Sequence, residues 1–451
     1  MLYRKVWEDL ERFYDSRERK ALLITGARQV GKTYIIEAFG KRYRSFIRIN
    51  FIENTLAASL FENATDAANL LTRISALSDQ ELIPGETLIF LDEVQRCPEI
   101  VTAIKFLVEE GSYQYILSGS MLGVELRDIR SVPVGYMDVL EMYPLDFEEF
   151  LMANRLARSV IDALRACFDE KKPVDALVHN KLMELFRLYL IVGGMPAVVN
   201  KYVQTNNLRE VVREQQGIVT TYKRDIGQYD PYNKLYLEAI FELIPSELNS
   251  KNKRFILKNL NENRRFSRFE NSFIWLRDAG VAWPAYCANE PRVPLLLSRS
   301  TNLFKLFMND VGLLVSMYMA DIQLRILNRE KDINFGSVYE NAVAQELKAH
   351  GFELFYFNSK KQGELDFLVE RDGEVLPIEV KSGKDFARHA ALNNVLANKE
   401  YAISEAFVLH NGNVEVRDRI TYLPVYMAMF IRKKALPNQM IYRIDLTGLT
   451  E

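Results

Sequence analysis

The stretch "GARQVGKT", residues 26–33, constrains this chain more than any other, because it dictates backbone shape as well as side chains. It follows the apolar run "ALLIT" and opens the helical pattern "TYIIEAFGKRY", so it reads as the loop between a buried strand and a helix. Gly26 and Gly31 let that loop curl until the N–H groups of Ala27, Arg28, Gln29 and Val30 converge on an anion at the positive end of the helix. Lys32 then reaches the β- and γ-phosphates of a nucleotide, and the Thr33 hydroxyl is placed for Mg²⁺. The pattern therefore predicts ATP with Mg²⁺ as ligand.

A partner for this loop stands further along in "TLIFLDEVQ", residues 87–95. Its apolar residues predict a buried strand whose tip presents Asp92 and Glu93 beside the first loop. Asp92 suits a Mg²⁺-bound water, and Glu93 suits the base or positioner of an attacking water. In "YILSGS", Ser118 or Ser120 ends the next strand, where a hydroxyl could sense the γ-phosphate.

Short apolar runs, "ALLITG", "FIRINF", "TLIFLD", "YQYILSGS" and "YMDVLEMYPL", alternate with amphipathic stretches through the first third of the chain. That rhythm predicts an α/β fold with a parallel sheet covered by helices on both faces. Residues 147–330 are mainly helical in pattern, broken at "GGMP" and "YDPYN". After "FGSVYENAVAQELKAHG", a helix ending at Gly351, the runs "FELFYFN", "ELDFLVE", "VLPIEVK" and "EAFVLH" predict a small second α/β unit. With 451 residues the chain exceeds what one hydrophobic core serves. The expected boundaries are 1–150 for the α/β domain that carries the phosphate loop, 151–230 for a helical domain, 231–335 for a third domain and 336–451 for the small second α/β domain.

The net charge of −2 is unevenly spread. Lys+Arg against Asp+Glu is 17 to 24 over residues 1–150, 27 to 20 over 151–335, and 14 to 16 over 336–451. Within "KNKRFILKNLNENRRFSRFE", residues 251–270, seven basic residues face two acidic ones, and Arg264, Arg265 and Arg268 are suited to phosphate contacts with DNA. A solvated face or a protein-docking surface is the competing reading of the same run. Cys97, Cys167 and Cys287 are far apart, and the four histidines show no ligand spacing, so neither a disulfide framework nor a zinc site is read from the sequence. The N-terminus lacks the apolar run of a signal peptide, and no uncharged stretch is long enough to span a membrane. A cytoplasmic protein of bacterial type is expected.

"ALLITGARQVGKT", "LDEVQ", "ILSGS" and "YPLDFEEFL" resemble the AAA+ superfamily of P-loop ATPases. More closely, they are similar to a widespread prokaryotic family in which an AAA-type ATPase domain precedes a C-terminal domain of unknown function. The resemblance extends to "YLIVGGMPAVV" and "LFKLFMNDVGLL". It implies ATP hydrolysis by an ATPase domain over 1–150 and a winged-helix-like domain over 231–335 in the basic middle, ahead of the segment 336–451. One departure is Tyr136, where relatives place, after a glycine, a basic residue that can neutralise transition-state charge; either Arg127, Arg130 or a partner subunit of a homo-oligomer supplies that charge instead, or basal hydrolysis is slow.

"GELDFLVERDGEVLPIEVKSGK", residues 363–384, places Asp366 on one strand and Glu379 with Lys381 on the next. Glu379 and Lys381 are two apart, so both side chains leave the same face. Glu340, on the helix that opens this segment, is a fourth candidate. Carboxylates converging on Mg²⁺ with a cation nearby are what phosphodiester hydrolysis needs. The element order with Asp and Glu-x-Lys resembles the PD-(D/E)XK nuclease superfamily, which implies Asp366 and Glu379 as metal ligands and Glu340, Asp366, Glu379 and Lys381 as catalytic residues. A retained fold without cleavage, within a nucleotide-dependent switch that docks a protein partner, is the rival expectation.

Overall fold

The computed structural model describes residues 2–16, 20–61, 66–119, 135–229, 234–250, 254–255, 270–318, 322–328, 336–383 and 385–434. Ser120, Arg127, Arg130, Arg264, Arg265 and Arg268 lie outside them.

Five strands form the first sheet: β1 (Ala21–Thr25), β2 (Ser45–Asn50), β3 (Thr87–Asp92), β4 (Gln114–Ser118) and β5 (Met137–Glu141). Their order is β2-β3-β4-β1-β5 and every pairing is parallel. The alternation of side chains sends Leu22 and Ile24 of β1 into one core and Leu23 into another. That is the two-faced burial of an α/β sheet, as the sequence rhythm implies. Because β1, β3 and β4 run side by side in one direction, their C-terminal tips deliver the residue 26–33 loop, Asp92 and Ser118 to one edge.

A helical middle follows, including Phe147–Ala153, Ala176–Val192, Pro196–Thr205, Leu208–Tyr229 and Lys234–Asn249. Asp146 opens the first of these with a capping box, its carboxylate accepting from the Glu149 N–H while the Glu149 side chain returns to the Asp146 N–H. "GGMP" turns the chain between two helices, and its glycines are needed sterically. A Cβ on Gly194 would lie 2.0 Å from the Leu145 carbonyl oxygen, and one on Gly193 would lie 2.2 Å from Asp310 Oδ1. "GGMP" and "FMND" thus meet: the Gly194 N–H donates to Asp310 Oδ2 at 2.5 Å, and Asp310 Oδ1 caps the helix Val311–Ser316.

The second sheet is mixed, with eight strands: β6 (Ala282–Ala288), β7 (Arg299–Met308), β8 (Phe355–Ser359), β9 (Gly363–Arg371), β10 (Glu374–Val380), β11 (Ala406–His410), β12 (Glu415–Arg417) and β13 (Ile420–Pro424). Their order is β12-β13-β11-β10-β9-β8-β6-β7. β6 pairs in parallel with β8, so this sheet draws on residues from both sides of position 335. The helix Gly336–Ala349 packs against β7 and β10, and it is buried along nearly its whole length.

Candidate functional site

The phosphate cradle is formed where β1 passes into the helix Lys32–Gly40. Gly26 (φ 132°), Gln29 (φ 65°) and Gly31 (φ 93°) take left-handed backbone angles that curl the loop. A Cβ on Gly26 would fall 2.2 Å from the Met142 carbonyl oxygen, so only glycine fits there. Ala27 and Val30 are buried, and the Val30 carbonyl accepts from Arg4 Nη1 at 2.9 Å, which anchors the loop from behind.

Lys32 is buried, and its ammonium donates to the Gly26 and Ala27 carbonyls at 2.9 and 2.8 Å. Burial pulls its pKa down to about 8, against the attraction of Glu93 and Asp92. An ammonium resting on its own loop's carbonyls is held by neutral acceptors, which an anion outcompetes. The Thr33 hydroxyl lies 3.3 Å from Asp92 Oδ1, and the Ser118 hydroxyl donates to the same oxygen at 2.5 Å. Glu93 follows with φ 60°, which turns it out of the strand, and its carboxylate accepts from the Gln95 amide.

Two further groups on Asp92 escaped the sequence reading. Arg48 Nη2 and Asn50 Nδ2, both on β2, donate to Asp92 Oδ2 at 2.9 and 3.0 Å. "FIRIN" alternates, which put both on one face, but only the β2–β3 register, with Asn50 opposite Asp92, brings them to the acid. The middle segment also reaches the loop. Arg28 Nη1 lies 2.5 Å from Asp225 Oδ1 on the helix Leu208–Tyr229, and the Tyr222 hydroxyl donates to the Arg28 carbonyl at 3.2 Å. Gln29 lines a cavity of about 560 Å³ with Lys201, Arg213 and Thr221 from the middle helices.

Tyr136 corrects one expectation. Its carbonyl accepts from the Ala21 N–H at the start of β1, the opposite end of that strand from the cradle. Its ring packs near Lys105 and its hydroxyl donates to Glu109, so it is turned away from its own chain's cradle. The reason is topological: β5 runs parallel to β1, so a residue preceding β5 stands beside the residue preceding β1.

The residue 363–384 segment brings its predicted groups together. One register step beyond the pair Ile378–Phe367 sets Glu379 opposite Asp366, and the Val380 N–H donates to Asp366 Oδ2 at 2.9 Å. Lys381 Nζ lies 2.5 Å from Glu379 Oε1. Burial, with repulsion from Asp366 and Glu340, pushes the Glu379 carboxyl up to about 7 despite Lys381. A second lysine completes the cluster. Lys305 of β7 is wholly buried, with Nζ 2.9 Å from Glu364 Oε1 and 3.9 Å from both Glu340 Oε2 and Asp366 Oδ1. It also lies 5.0 Å from the centre of the Tyr356 ring. Its sequence signal was a lone lysine inside the apolar run "LFKLFM".

Family models match three stretches: an AAA domain over residues 18–151, a domain of unknown function (DUF8612) over 183–325, and another (DUF4143) over 335–427. No curated protein matches the chain. Among solved structures, the Walker-type ATPase of Pyrococcus abyssi is similar at 13% identity and a TM-score of 0.43, covering 71% of this chain and 96% of that one. The ORC1 protein of Aeropyrum pernix, solved in complex with DNA, is similar at 12% identity and a TM-score of 0.30, covering 73% of this chain and 93% of that one. No helix among the described residues is long and apolar enough to cross a membrane. The match over residues 18–151, on a five-stranded parallel sheet carrying the cradle, makes this part of the chain a P-loop domain of the AAA type.

Proposed function

We propose that the protein hydrolyses ATP with Mg²⁺ at this cradle and uses the nucleotide state to reposition its helical middle in a nucleic-acid task. The observation that carries the reading is the meeting of Thr33 and Ser118 on Asp92, with Lys32 held on the adjoining loop, at the tips of three adjacent parallel strands. Lys32 would leave its loop carbonyls for the β- and γ-phosphates. Thr33 and Asp92 fit the ion, since a hydroxyl and a carboxylate already adjoin there, and Mg²⁺ would supply charge neutralisation to the phosphates. Glu93 would orient the attacking water, and Ser118 would report on the γ-phosphate through Asp92.

The Arg28–Asp225 pair and the Tyr222–Arg28 contact give the helix Leu208–Tyr229 a direct grip on the loop. Asn309 donates to the Tyr222 hydroxyl at 3.1 Å, and the neighbouring Asp310 holds "GGMP". A shift of the loop on ATP binding would reach the second sheet through these contacts. Residues 251–270 would supply the phosphate contacts to DNA. Nucleotide titration and turnover of wild type, Lys32→Ala and Glu93→Gln test the ATPase. DNA-stimulated turnover and its salt slope, with Arg264, Arg265 and Arg268 changed together to Ala, test the task.

A second reading, a nucleotide-dependent switch that docks a protein partner without cutting nucleic acid, is favoured by Lys305. Its ammonium lies 2.9 Å from Glu364 and 3.9 Å from Glu340 and Asp366, so a protein cation already supplies part of the charge that Mg²⁺ would bring to this cluster. Mg²⁺-dependent cleavage of DNA or RNA by the purified chain would decide for the nuclease.

A further inference from the structure

A third buried cluster lies where the chain leaves the first sheet and meets the helix Gly336–Ala349. It is built from Asp146, Glu346 and His350, whose side chains are 4%, 1% and 3% exposed. Each carboxylate has one oxygen committed to backbone. Asp146 Oδ1 accepts from the Glu149 N–H at 2.9 Å, and Glu346 Oε1 accepts from the Phe147 N–H at 2.5 Å. The other two oxygens face His350 Nε2, at 3.5 Å for Asp146 Oδ2 and 3.6 Å for Glu346 Oε2.

The tautomer of His350 determines what that gap contains. Its Nδ1 lies 2.8 Å from the Ile431 carbonyl oxygen, which can only accept, so Nδ1 carries the proton. In the neutral ring Nε2 therefore presents a lone pair to two carboxylate oxygens. Neither His350 Nε2 nor Glu346 Oε2 has a hydrogen-bond partner, although both atoms are shielded from solvent. The Lys5 ammonium answers Asp146 Oδ2, so the two atoms left without a partner in this dry pocket are the Glu346 oxygen and the His350 lone pair, which repel unless something positive sits between them.

We propose that this gap is a site for a divalent transition-metal ion of the Zn²⁺ class, held by Asp146 Oδ2, Glu346 Oε2 and His350 Nε2. All three atoms lie within 4.8 Å of one another. Ligands bound tetrahedrally at about 2.0–2.1 Å stand about 3.3 Å apart, close to the 3.5 and 3.6 Å that separate Nε2 from the two oxygens. A proton on Nε2 would instead draw a carboxylate to about 2.8 Å, closer than either oxygen is. Imidazole and carboxylate ligands without thiolate suit Zn²⁺, and the Nδ1–H bond to a carbonyl is the support that metal-bound histidines ordinarily have. Lys5 also donates to Asp146 Oδ2, and its Nζ lies 2.8 Å from Glu148 Oε2, which keeps the ammonium paired when the ion takes its share of Asp146. The ion would staple residue 146 to residues 346–350 and, through the imidazole, to residue 431. The role is structural, because the three ligand side chains are buried and none of them belongs to the ATP cradle.

The test is metal analysis of the full-length chain, followed by chelation and titration with Zn²⁺, and with Co²⁺ as an absorbing probe. The expected result is stoichiometric Zn²⁺, a melting temperature that falls on chelation and recovers with Zn²⁺, and visible Co²⁺ absorption bands. Glu346→Gln keeps the shape and the Phe147 contact, and should weaken Zn²⁺ binding by about 100-fold or more while circular dichroism and ATP affinity hold. If that variant does not fold, His350→Gln and the wild-type titration decide. A wild-type chain that takes up neither ion and shows no thermal shift would overturn the site, and so would wild-type Zn²⁺ affinity in both variants.

Discussion

The cradle and the carboxylate–lysine cluster both set lysines among acids, yet they satisfy them in opposite ways. At the cradle, Lys32 rests on two neutral carbonyls and leaves the nearby carboxylates to hydroxyls, an arginine and an amide. At the cluster, Lys305 and Lys381 lie 2.9 and 2.5 Å from carboxylate oxygens. A lysine on carbonyls exchanges them for phosphate oxygens at a gain, because a charged acceptor is the stronger one. A lysine on carboxylates has nothing to gain from a new anion, and the carboxylates have little to gain from a new cation. The first arrangement awaits a ligand, whereas the second resembles an internal salt.

That contrast breaks most readily at Lys305. Lys305→Met should destabilise the chain by about 3–5 kcal/mol in denaturant unfolding, since it leaves buried acids without their counter-ion. Millimolar Mg²⁺ or Mn²⁺ should restore part of the loss in the variant and none in wild type. Equal stability of the two proteins would show that the acids there are not ionised. On the other side, Lys32→Ala should reduce ATP affinity or turnover by about 10²–10³-fold, whereas Glu93→Gln should bind ATP and fail to turn it over. Wild-type ATP affinity in Lys32→Ala would remove the cradle from the argument.

A third acid sharpens the comparison through pH. Burial pushes the Asp310 carboxyl up to about 6, although the backbone N–H groups of Gly194 and Leu313 pull the other way. Its folded value is above the unfolded 3.8, so the folded state holds the proton more tightly; this contribution is full below pH 4 and is lost as pH rises through 6. The expected loss is at most about 3 kcal/mol, and Asp310→Asn should flatten that part of the stability profile. The smallest effect belongs to Tyr136→Arg, which should leave turnover within about 2-fold of wild type, because an arginine finger acts only where it reaches the phosphate. A large acceleration would mean that the N-terminal end of β1 approaches a neighbouring subunit's nucleotide.

The cradle was legible because its requirements are local: two glycines, a lysine and a threonine in eight consecutive residues after an apolar strand. Asp92 and Ser118 were legible for a related reason, since parallel strands with regular crossovers bring their C-terminal tips together. Asp366, Glu379 and Lys381 were readable from one hairpin. Arg28 with Asp225, 197 residues apart, and Lys305 with Glu364 were not, because each pair depends on packing between distant segments that leave no periodic trace. The place of Tyr136 was not legible, because a family position carries no strand direction, and it is the parallel β1–β5 pairing that sets it at the end away from the cradle. The β6–β8 pairing was missed likewise: a parallel pair with some 65 residues between its strands has no turn to announce it.

That pairing bears on how such a protein can be inherited. Recombination shuffles genes most successfully at joints where each piece carries all that it needs. A cut near residue 335 would hand the downstream piece Glu340, Glu364, Asp366 and Glu379 while leaving behind Lys305, the cation that makes three of them tolerable, and the two strands that cover the edge of β8. The downstream piece would therefore travel poorly as a cassette, and a descendant that did move alone would have to acquire a new counter-charge, a metal ion being the readiest.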